Sequence, residues 1–210
     1  MISADGILKL AHCCGNRICY NIRMKRCLFL PALVVLSGCL TATSPSVSYW
    51  MLECAGVRSA VSAPRYGAVR IAQVVVAAPY ETSRLTVLRA DGTVAFDPYN
   101  EIAASPSMLL KGVLRDAAIG SGLFGSVVGA SSALPTTVSL EVVVTRLALD
   151  CRKEDERRAV ASVLVRLSNR EGVALGSSGT GEADAADGNY GKAMSTAMSM
   201  ALAEAFGKLR

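Results

Sequence analysis

The stretch that decides the fold is VSLEVVVTRLALD, residues Val138–Asp150. Its β-branched and apolar residues predict one long strand. The charged segment CRKEDER (Cys151–Arg157) follows, and RAVASVLVRLS (Arg158–Ser168) then has the same strand character. Two strand patterns joined by a short polar segment are expected to pair as an antiparallel hairpin. The mixed charges between them therefore mark a solvated hairpin tip.

Shorter strand patterns lie on both sides of this hairpin. Asp91-Gly92 is a strong turn signal, so the segments that flank it are expected to form a second hairpin. Ordered along the chain, the additional predicted strands are VSYWMLEC (Val47–Cys54), GAVRIAQVVVA (Gly67–Ala77), RLTVLR (Arg84–Arg89), TVAF (Thr93–Phe96), Leu123–Val128 and Val173–Ala183.

Two segments have the three-to-four spacing of apolar residues that is typical of amphipathic helices. Asp97-Pro98 predicts a helix start, and Ser105-Pro106 repeats that signal before the apolar face of residues 106–119. The second helix is expected over Tyr190–Leu209. The sum is an α+β fold, in which a mainly antiparallel sheet is packed on one face by two amphipathic helices. One domain, residues 49–210, contains all of these elements.

The chain before that domain has the pattern of a secretory signal. The apolar run LFLPALVVLSG (Leu28–Gly38) follows a basic segment and precedes Cys39. A helix that crosses a bilayer needs about twenty apolar residues, so this run is too short to span one. A basic start, a short apolar core and a small-residue cleavage site predict a signal peptide over residues 1–38. Met24 begins a compact signal of its own, which leaves Met1 and Met24 as alternative start codons; with the second, residues 1–23 are a start extension.

The last residues of the predicted signal peptide indicate how the protein is anchored. Leu36-Ser37-Gly38-Cys39 resembles the lipobox of bacterial lipoproteins. The resemblance implies that Cys39 carries a diacylglycerol on sulfur and an N-acyl chain on the new amino terminus, because stable anchoring needs more than one chain. Residues 39–48 would be the tether. Leu40 replaces the aspartate that retains such proteins at the inner membrane, which favours an outer-membrane anchor facing the periplasm.

Composition changes when the signal is removed. The full chain has 210 residues, 51% of them hydrophobic, with a net charge of +5, seven cysteines and one histidine. This apolar content excludes an intrinsically disordered protein. Five of the 22 basic residues, one of the 17 acidic residues, four cysteines and the histidine precede Cys39, which leaves a net charge of about +1. The near-neutral remainder gives no reason to expect a nucleic-acid partner.

No catalytic or metal-binding pattern marks the chain after Cys39. Without histidine, it lacks the Ser-His-Asp triad, the HExxH zinc site and the Cys–His pair. The segment GSGLFG (Gly120–Gly125) matches GxGxxG, but it follows a predicted helix instead of a strand, which favours a helix end and turn. We therefore expect no enzyme activity, no metal and no cofactor besides the acyl chains.

Cys54 and Cys151 leave two interpretations open. Each ends a predicted strand, and the oxidising periplasm allows disulfides to persist. A bond between them would close a loop of about 100 residues and contribute roughly 4–5 kcal/mol in the chain-entropy model. The alternative is a pair of buried, unpaired thiols.

Several hydrophobic and turn segments together carry a family resemblance. They are Tyr49-Trp50-Met51-Leu52, Val69-Arg70-Ile71, Val74-Val75-Val76, Pro79-Tyr80, Arg84-Leu85 with Arg89, and Leu109–Ala118 followed by Gly122-Leu123-Phe124 and Val127. In this order the chain resembles the ABC-type transport auxiliary lipoprotein component family, which is PqiC-like. The resemblance covers nearly all of residues 39–210.

This resemblance implies a non-enzymatic, membrane-anchored periplasmic subunit of an MCE- or Pqi-like transport system for lipids or other hydrophobic substrates. Its implied partners are an MCE-domain substrate-binding protein and an ABC permease with its ATPase; a second copy of the chain is a further candidate. Tyr80, Arg84, Arg89 and Tyr99 are the candidate contact residues, because turns and strand ends carry them. The alternative function is a structural or assembly lipoprotein of the outer membrane without an ABC transporter.

Overall fold

The computed structural model describes residues 46–54, 57, 63–153, 155–172 and 174–210. Cys39 and the predicted signal peptide lie outside these residues, so both assignments stay predictions. Ser46–Arg210 is one compact unit, in agreement with a single folded domain.

The described residues contain eight strands and two helices, which match the predicted elements closely. The first strand is shorter than predicted, whereas the fourth is longer. In chain order the elements are β1 (Ser48–Trp50), β2 (Tyr66–Val76), β3 (Arg84–Arg89), β4 (Val94–Ile102), α1 (Pro106–Gly120), β5 (Phe124–Val128), β6 (Val138–Cys151), β7 (Arg158–Asn169), β8 (Ala174–Asp184) and α2 (Tyr190–Gly207).

The predicted central hairpin is confirmed. β6 and β7 pair antiparallel along almost their whole length, from Val138 opposite Asn169 to Asp150 opposite Arg158. Directly opposed residues share a face of the sheet, so Val142 and Val165 point the same way, and both are buried. The period of two in these segments therefore places one face of the hairpin in the core.

The sheet is mixed, and the prediction of a mainly antiparallel sheet is wrong. Its order is β1-β4-β3-β6-β2-β5, with β7 pairing β6 and β8 pairing β7. Four of the seven pairings are parallel and three are antiparallel. The reason is the length of β6, which takes two parallel neighbours in succession: β2 beside Val138–Val144 and β3 beside Leu149–Cys151.

The predicted helix start at Asp97-Pro98 is also wrong, because both residues lie within β4. The Asp97 carboxylate accepts hydrogen bonds from the backbone N–H of Tyr99 (2.7 Å) and from Asn100 Nδ2 (3.0 Å). An aspartate that accepts an N–H two residues later makes the same bond in a turn as at a helix start. The second signal is correct: α1 begins at Pro106, after Ser105.

Both helices pack on the same face of the sheet. They contribute to one hydrophobic cluster, contact each other, and cover β2 and β5 (α1) and β6 to β8 (α2). The predicted apolar face of α2 is buried, including Met194, Ala197, Met198 and Ala201. Among the described residues, no helix covers the other face of the sheet, and this face bears on function.

Candidate docking surface

The uncovered face of the sheet carries apolar side chains at its centre. On β7, Val163 and Val165 are buried, whereas Leu164 between them is 49% exposed. The strand register places Leu164 beside Val143 of β6, and Val143 beside Val75 of β2. Val75, Val143 and Leu164 therefore form a line across three strands, which we call the central row.

Polar and paired charged groups surround the central row. Arg166 and Glu141 occupy the next register position and form an ion pair of 3.9 Å. Ser178 of β8 lies beside Leu164. Together with Val143 and Leu164, these residues line a shallow cleft of ≈ 340 Å³. An apolar centre with a polar rim is the arrangement found in protein–protein interfaces.

A second apolar surface lies on β1 and β4. Trp50 is half-buried and Leu52 is buried, while their sequence neighbours Tyr49 (66% exposed) and Met51 face outward. Six of the thirteen exposed large hydrophobic residues among those described belong to this region. We call it the apolar edge, and it comprises Val47, Tyr49 and Met51 with Val94, Phe96 and Tyr99.

A wide irregularity in β4 shapes the apolar edge. Arg84 of β3 is opposite Glu101, but Thr86, only two residues later, is opposite Phe96. Residues 97–100 therefore have no partner on β3, and the Asp97 carboxylate holds their backbone through the N–H of Tyr99. This bulge presents the half-exposed Tyr99 ring to solvent.

The four predicted contact residues do not form one site. Arg84 is opposite Glu101, two residues after Tyr99 in β4, and Arg84 Nε is 3.8 Å from Glu101 Oε1. Arg89 is at the opposite end of β3, about 17 Å along a strand of this length. Tyr80 packs against the hydrophobic core and is half-buried. Their role in partner contact stays a prediction.

Sequence reasoning missed Leu164, Tyr49, Met51 and Phe96. The sequence evidence for these residues lies in the alternation of side chains along the strands. In VSYWMLEC the outward positions between Trp50 and the core residue Leu52 carry apolar side chains where a solvated face would have polar ones. The same departure occurs at Leu164 in RAVASVLVRLS.

The hairpin tip concentrates charges of both signs. Arg152 Nε donates to Asp150 Oδ1 at 2.9 Å, and this hydrogen bond lowers the pKa of the Asp150 carboxyl. Arg158 Nε is 3.1 Å from Glu156 Oε2 and Arg158 Nη1 is 3.4 Å from Glu182 Oε2. These groups line a cleft of ≈ 300 Å³ in which the charges neutralise one another. The arrangement agrees with a solvated tip.

Cys54 and Cys151 are free thiols in the structure, and each is half-buried against the core. Burial raises the pKa of the Cys151 thiol, and the carboxylate of Asp150 adds to that effect against the opposing influence of Arg157. The disulfide stays a prediction. Alkylation of the denatured, unreduced protein decides it, because two labelled thiols would refute the bond and none would support it.

Within the described part of the chain, no group of three His, Cys, Asp or Glu side chains is placed to hold a metal ion. None of its helices is long and apolar enough to cross a membrane.

No protein-family model matches the chain, and no curated protein does. Two solved structures share its architecture. Protein XCC0632 of Xanthomonas campestris, assigned to DUF330, is 15% identical with a TM-score of 0.57, over 78% of this chain and 92% of that one. An uncharacterized protein is 18% identical with a TM-score of 0.54, over 78% and 96%. The chain has their fold.

A more distant likeness is to PelC of Paraburkholderia phytofirmans, a dodecamer, at 11% identity and a TM-score of 0.41, over 70% of this chain and 92% of that one.

These comparisons correct the family assignment made from sequence. No family model supports the ABC-type transport auxiliary lipoprotein component family, and neighbours at 15% and 18% identity show the fold alone. The segments that carried the resemblance, such as Val74-Val75-Val76 in β2, are the hydrophobic and turn residues that this fold requires. They indicated an architecture and did not identify a family.

Proposed function

We propose that the chain is a non-enzymatic lipoprotein of the bacterial cell envelope, anchored through acylated Cys39 and facing the periplasm from the outer membrane. The support is Leu36-Ser37-Gly38-Cys39 at the end of a short apolar run, with β1 beginning at Ser48. The lack of histidine after Cys39 also favours a role other than acid–base catalysis.

The folded domain then serves as a docking subunit of an ABC-type system that moves lipids or other hydrophobic substrates between membranes. The observation that carries this proposal is the central row on the uncovered sheet face. A protein partner suits it, because the paired charges of Arg166 and Glu141 and the hydroxyl of Ser178 offer directional contacts around an apolar centre. The partner in this proposal is the MCE-domain substrate-binding protein beside the permease and ATPase.

Affinity capture of the acylated protein from detergent-solubilised envelopes tests the docking role. We expect the wild type to recover an MCE-domain protein and an ABC permease, and Leu164→Asp to lose most of both. Met108→Asp is the matched control, because Met108 is 65% exposed on α1, away from the sheet face. Recovery of neither partner by the wild type would contradict the transport role and favour the structural lipoprotein.

Fractionation of cells tests the anchor separately. Cys39→Ala removes the sulfur that would be acylated, so we expect the protein to move from the membrane fraction to the soluble periplasmic fraction. Retention of Cys39→Ala in the membrane fraction would refute acylation at this position.

A further inference from the structure

We propose that the apolar edge rests on the lipid surface of the membrane that holds the anchor. This inference rests on the proposed function, since it requires an acylated Cys39. It goes beyond that function by assigning a surface of the folded domain to the bilayer and leaving the central row for the protein partner.

The length of chain between the anchor and the domain favours this occupant. Cys39 and Ser46 are seven positions apart, and seven residues span at most about 25 Å. Ser46 directly precedes Val47 and β1, so the outward residues of β1 are the first side chains of the domain after the anchor. The tether therefore holds the apolar edge close to the headgroups.

The side chains of the apolar edge fit a membrane interface. Tyr49 and Tyr99 combine an apolar ring with a hydroxyl group, and such residues favour the boundary between headgroups and acyl chains. Phe96 and Met51 add apolar surface beside them.

The outward direction of these β1 side chains is fixed by packing on the inner side. A Cβ added to Gly191 of α2 would lie 2.9 Å from Trp50 Cβ, which shows how closely Trp50 approaches that helix. With Trp50 and Leu52 directed inward, Tyr49 and Met51 are held on the outer side of β1.

The charged groups beside Tyr49 predict which lipid headgroups the apolar edge contacts. The guanidinium of Arg84 and the carboxylate of Glu101, beside Tyr49 in the sheet register, compensate each other at 3.8 Å. Attraction to anionic headgroups requires uncompensated basic groups. We therefore expect contact with zwitterionic lipid, with little dependence on anionic lipid or on salt.

The protein contains one tryptophan, Trp50, and it lies in β1. The acylated protein in phosphatidylcholine vesicles is compared with the same protein in vesicles of phosphatidylcholine brominated near the headgroup, which quenches nearby tryptophan. Because Trp50 is half-buried and next to Tyr49 in the chain, we expect its fluorescence to be partly quenched, and equally so when part of the lipid is phosphatidylglycerol. Unquenched Trp50 in membrane-bound protein would overturn the inference while leaving the anchor intact.

A pair of matched variants separates the edge from other apolar surface. Tyr49→Asp with Met51→Asp is expected to lose most of the quenching, whereas Met108→Asp with Ile119→Asp, two exposed residues of α1, keeps it. Circular dichroism checks folding, and Tyr99→Asp in the bulge is the second variant if the first pair unfolds. Equal quenching in the edge and α1 variants would refute a contact through the apolar edge.

Discussion

Arg70 on β2 forms several hydrogen bonds with the loop between β5 and β6. Its guanidinium donates to the carbonyl oxygens of Ala130 (3.1 Å), Ser132 (2.7 Å) and Leu134 (2.8 Å), and to Thr136 Oγ1 (3.4 Å). A lysine ammonium cannot reproduce this planar fork. We expect Arg70→Lys to lower the free energy of unfolding by about 1.5–3 kcal/mol, the usual range for hydrogen bonds to charged groups. Urea denaturation measures the change.

Arg166→Lys is the control for Arg70→Lys. Arg166 is also an arginine of the sheet, but its ion pair with Glu141 is exposed and 3.9 Å long. Exchanging this guanidinium for an ammonium is therefore expected to change stability little. If both variants lose the same stability, the loop hydrogen bonds of Arg70 do not carry the effect.

Glu204 gives the stability of the domain an acid dependence. Its carboxylate accepts hydrogen bonds from Lys208 Nζ (2.6 Å) and from the Thr180 backbone N–H (2.7 Å), and these lower its pKa to about 2. Because the folded pKa lies below the ordinary value of 4.5, the stabilisation is present above pH 4.5 and is lost as the pH falls toward 2.

Glu204→Gln is therefore expected to weaken the fall of the melting temperature between pH 4.5 and about 2, compared with the wild type. Thermal unfolding followed by circular dichroism at several pH values measures this slope. Asp116→Asn, which removes one exposed carboxylate charge on α1, is the control for the change in net charge. A wild-type slope in Glu204→Gln would show that this carboxylate is not the titrating group.

At the scale of elements, β8 and α2 pack at backbone contact. A Cβ at Gly179 would lie 1.9 Å from the Ala201 carbonyl oxygen, and one at Gly181 would lie 2.0 Å from that of Ala197. Alanine at either position must push the helix away from the strand. We expect Gly179→Ala and Gly181→Ala each to cost about 1–3 kcal/mol of stability, as overpacking does.

Gly176→Ala is the matched control on the same strand, because a Cβ there meets nothing within 4 Å. Its urea midpoint is expected to stay at or slightly above the wild-type value, since the substitution only reduces the freedom of the unfolded chain. A similar loss in all three alanine variants would mean that β8 needs glycine for its backbone alone, and not for contact with α2.

Local elements were predictable because their signals are local. The alternation in β6 and β7 and the Pro106 start of α1 define those elements within a residue or two. The parallel pairing of β2 with β6 joins residues about 70 positions apart, such as Val69 and Val138. No turn pattern in the sequence between them predicts this pairing. Asp97-Pro98 misled because a bulge and a helix start use the same aspartate hydrogen bond.

The candidate site was predictable only in part, for a related reason. Tyr99, which the sequence offered as a contact residue, lies in the apolar edge, and its role in partner contact stays a prediction. The central row depends on strand register: Val75, Val143 and Leu164 come together only when β2, β6 and β7 pair as observed. Residues that the register assembles from distant segments carry no joint signal in the sequence.

At the scale of the whole molecule, the proposed lipid contact and the proposed partner contact use different strands of the sheet. The two helices bury one face, which leaves the other face and the edges of the sheet open among the described elements. The proposed anchor enters at β1, on the edge of the sheet, whereas the central row lies on β2, β6 and β7. The domain can therefore contact lipid at its apolar edge while the central row stays open to a partner.

Lengthening the tether tests whether this orientation belongs to the domain itself. Ten Gly/Ser residues inserted between Cys39 and Ser46 raise the maximal reach from about 25 Å to about 60 Å. If the apolar edge has its own affinity for lipid, Trp50 quenching falls only modestly in the insertion variant, and adding Tyr49→Asp with Met51→Asp then removes it. If the insertion alone removes the quenching, the short tether held β1 at the surface, and the apolar edge does not bind lipid.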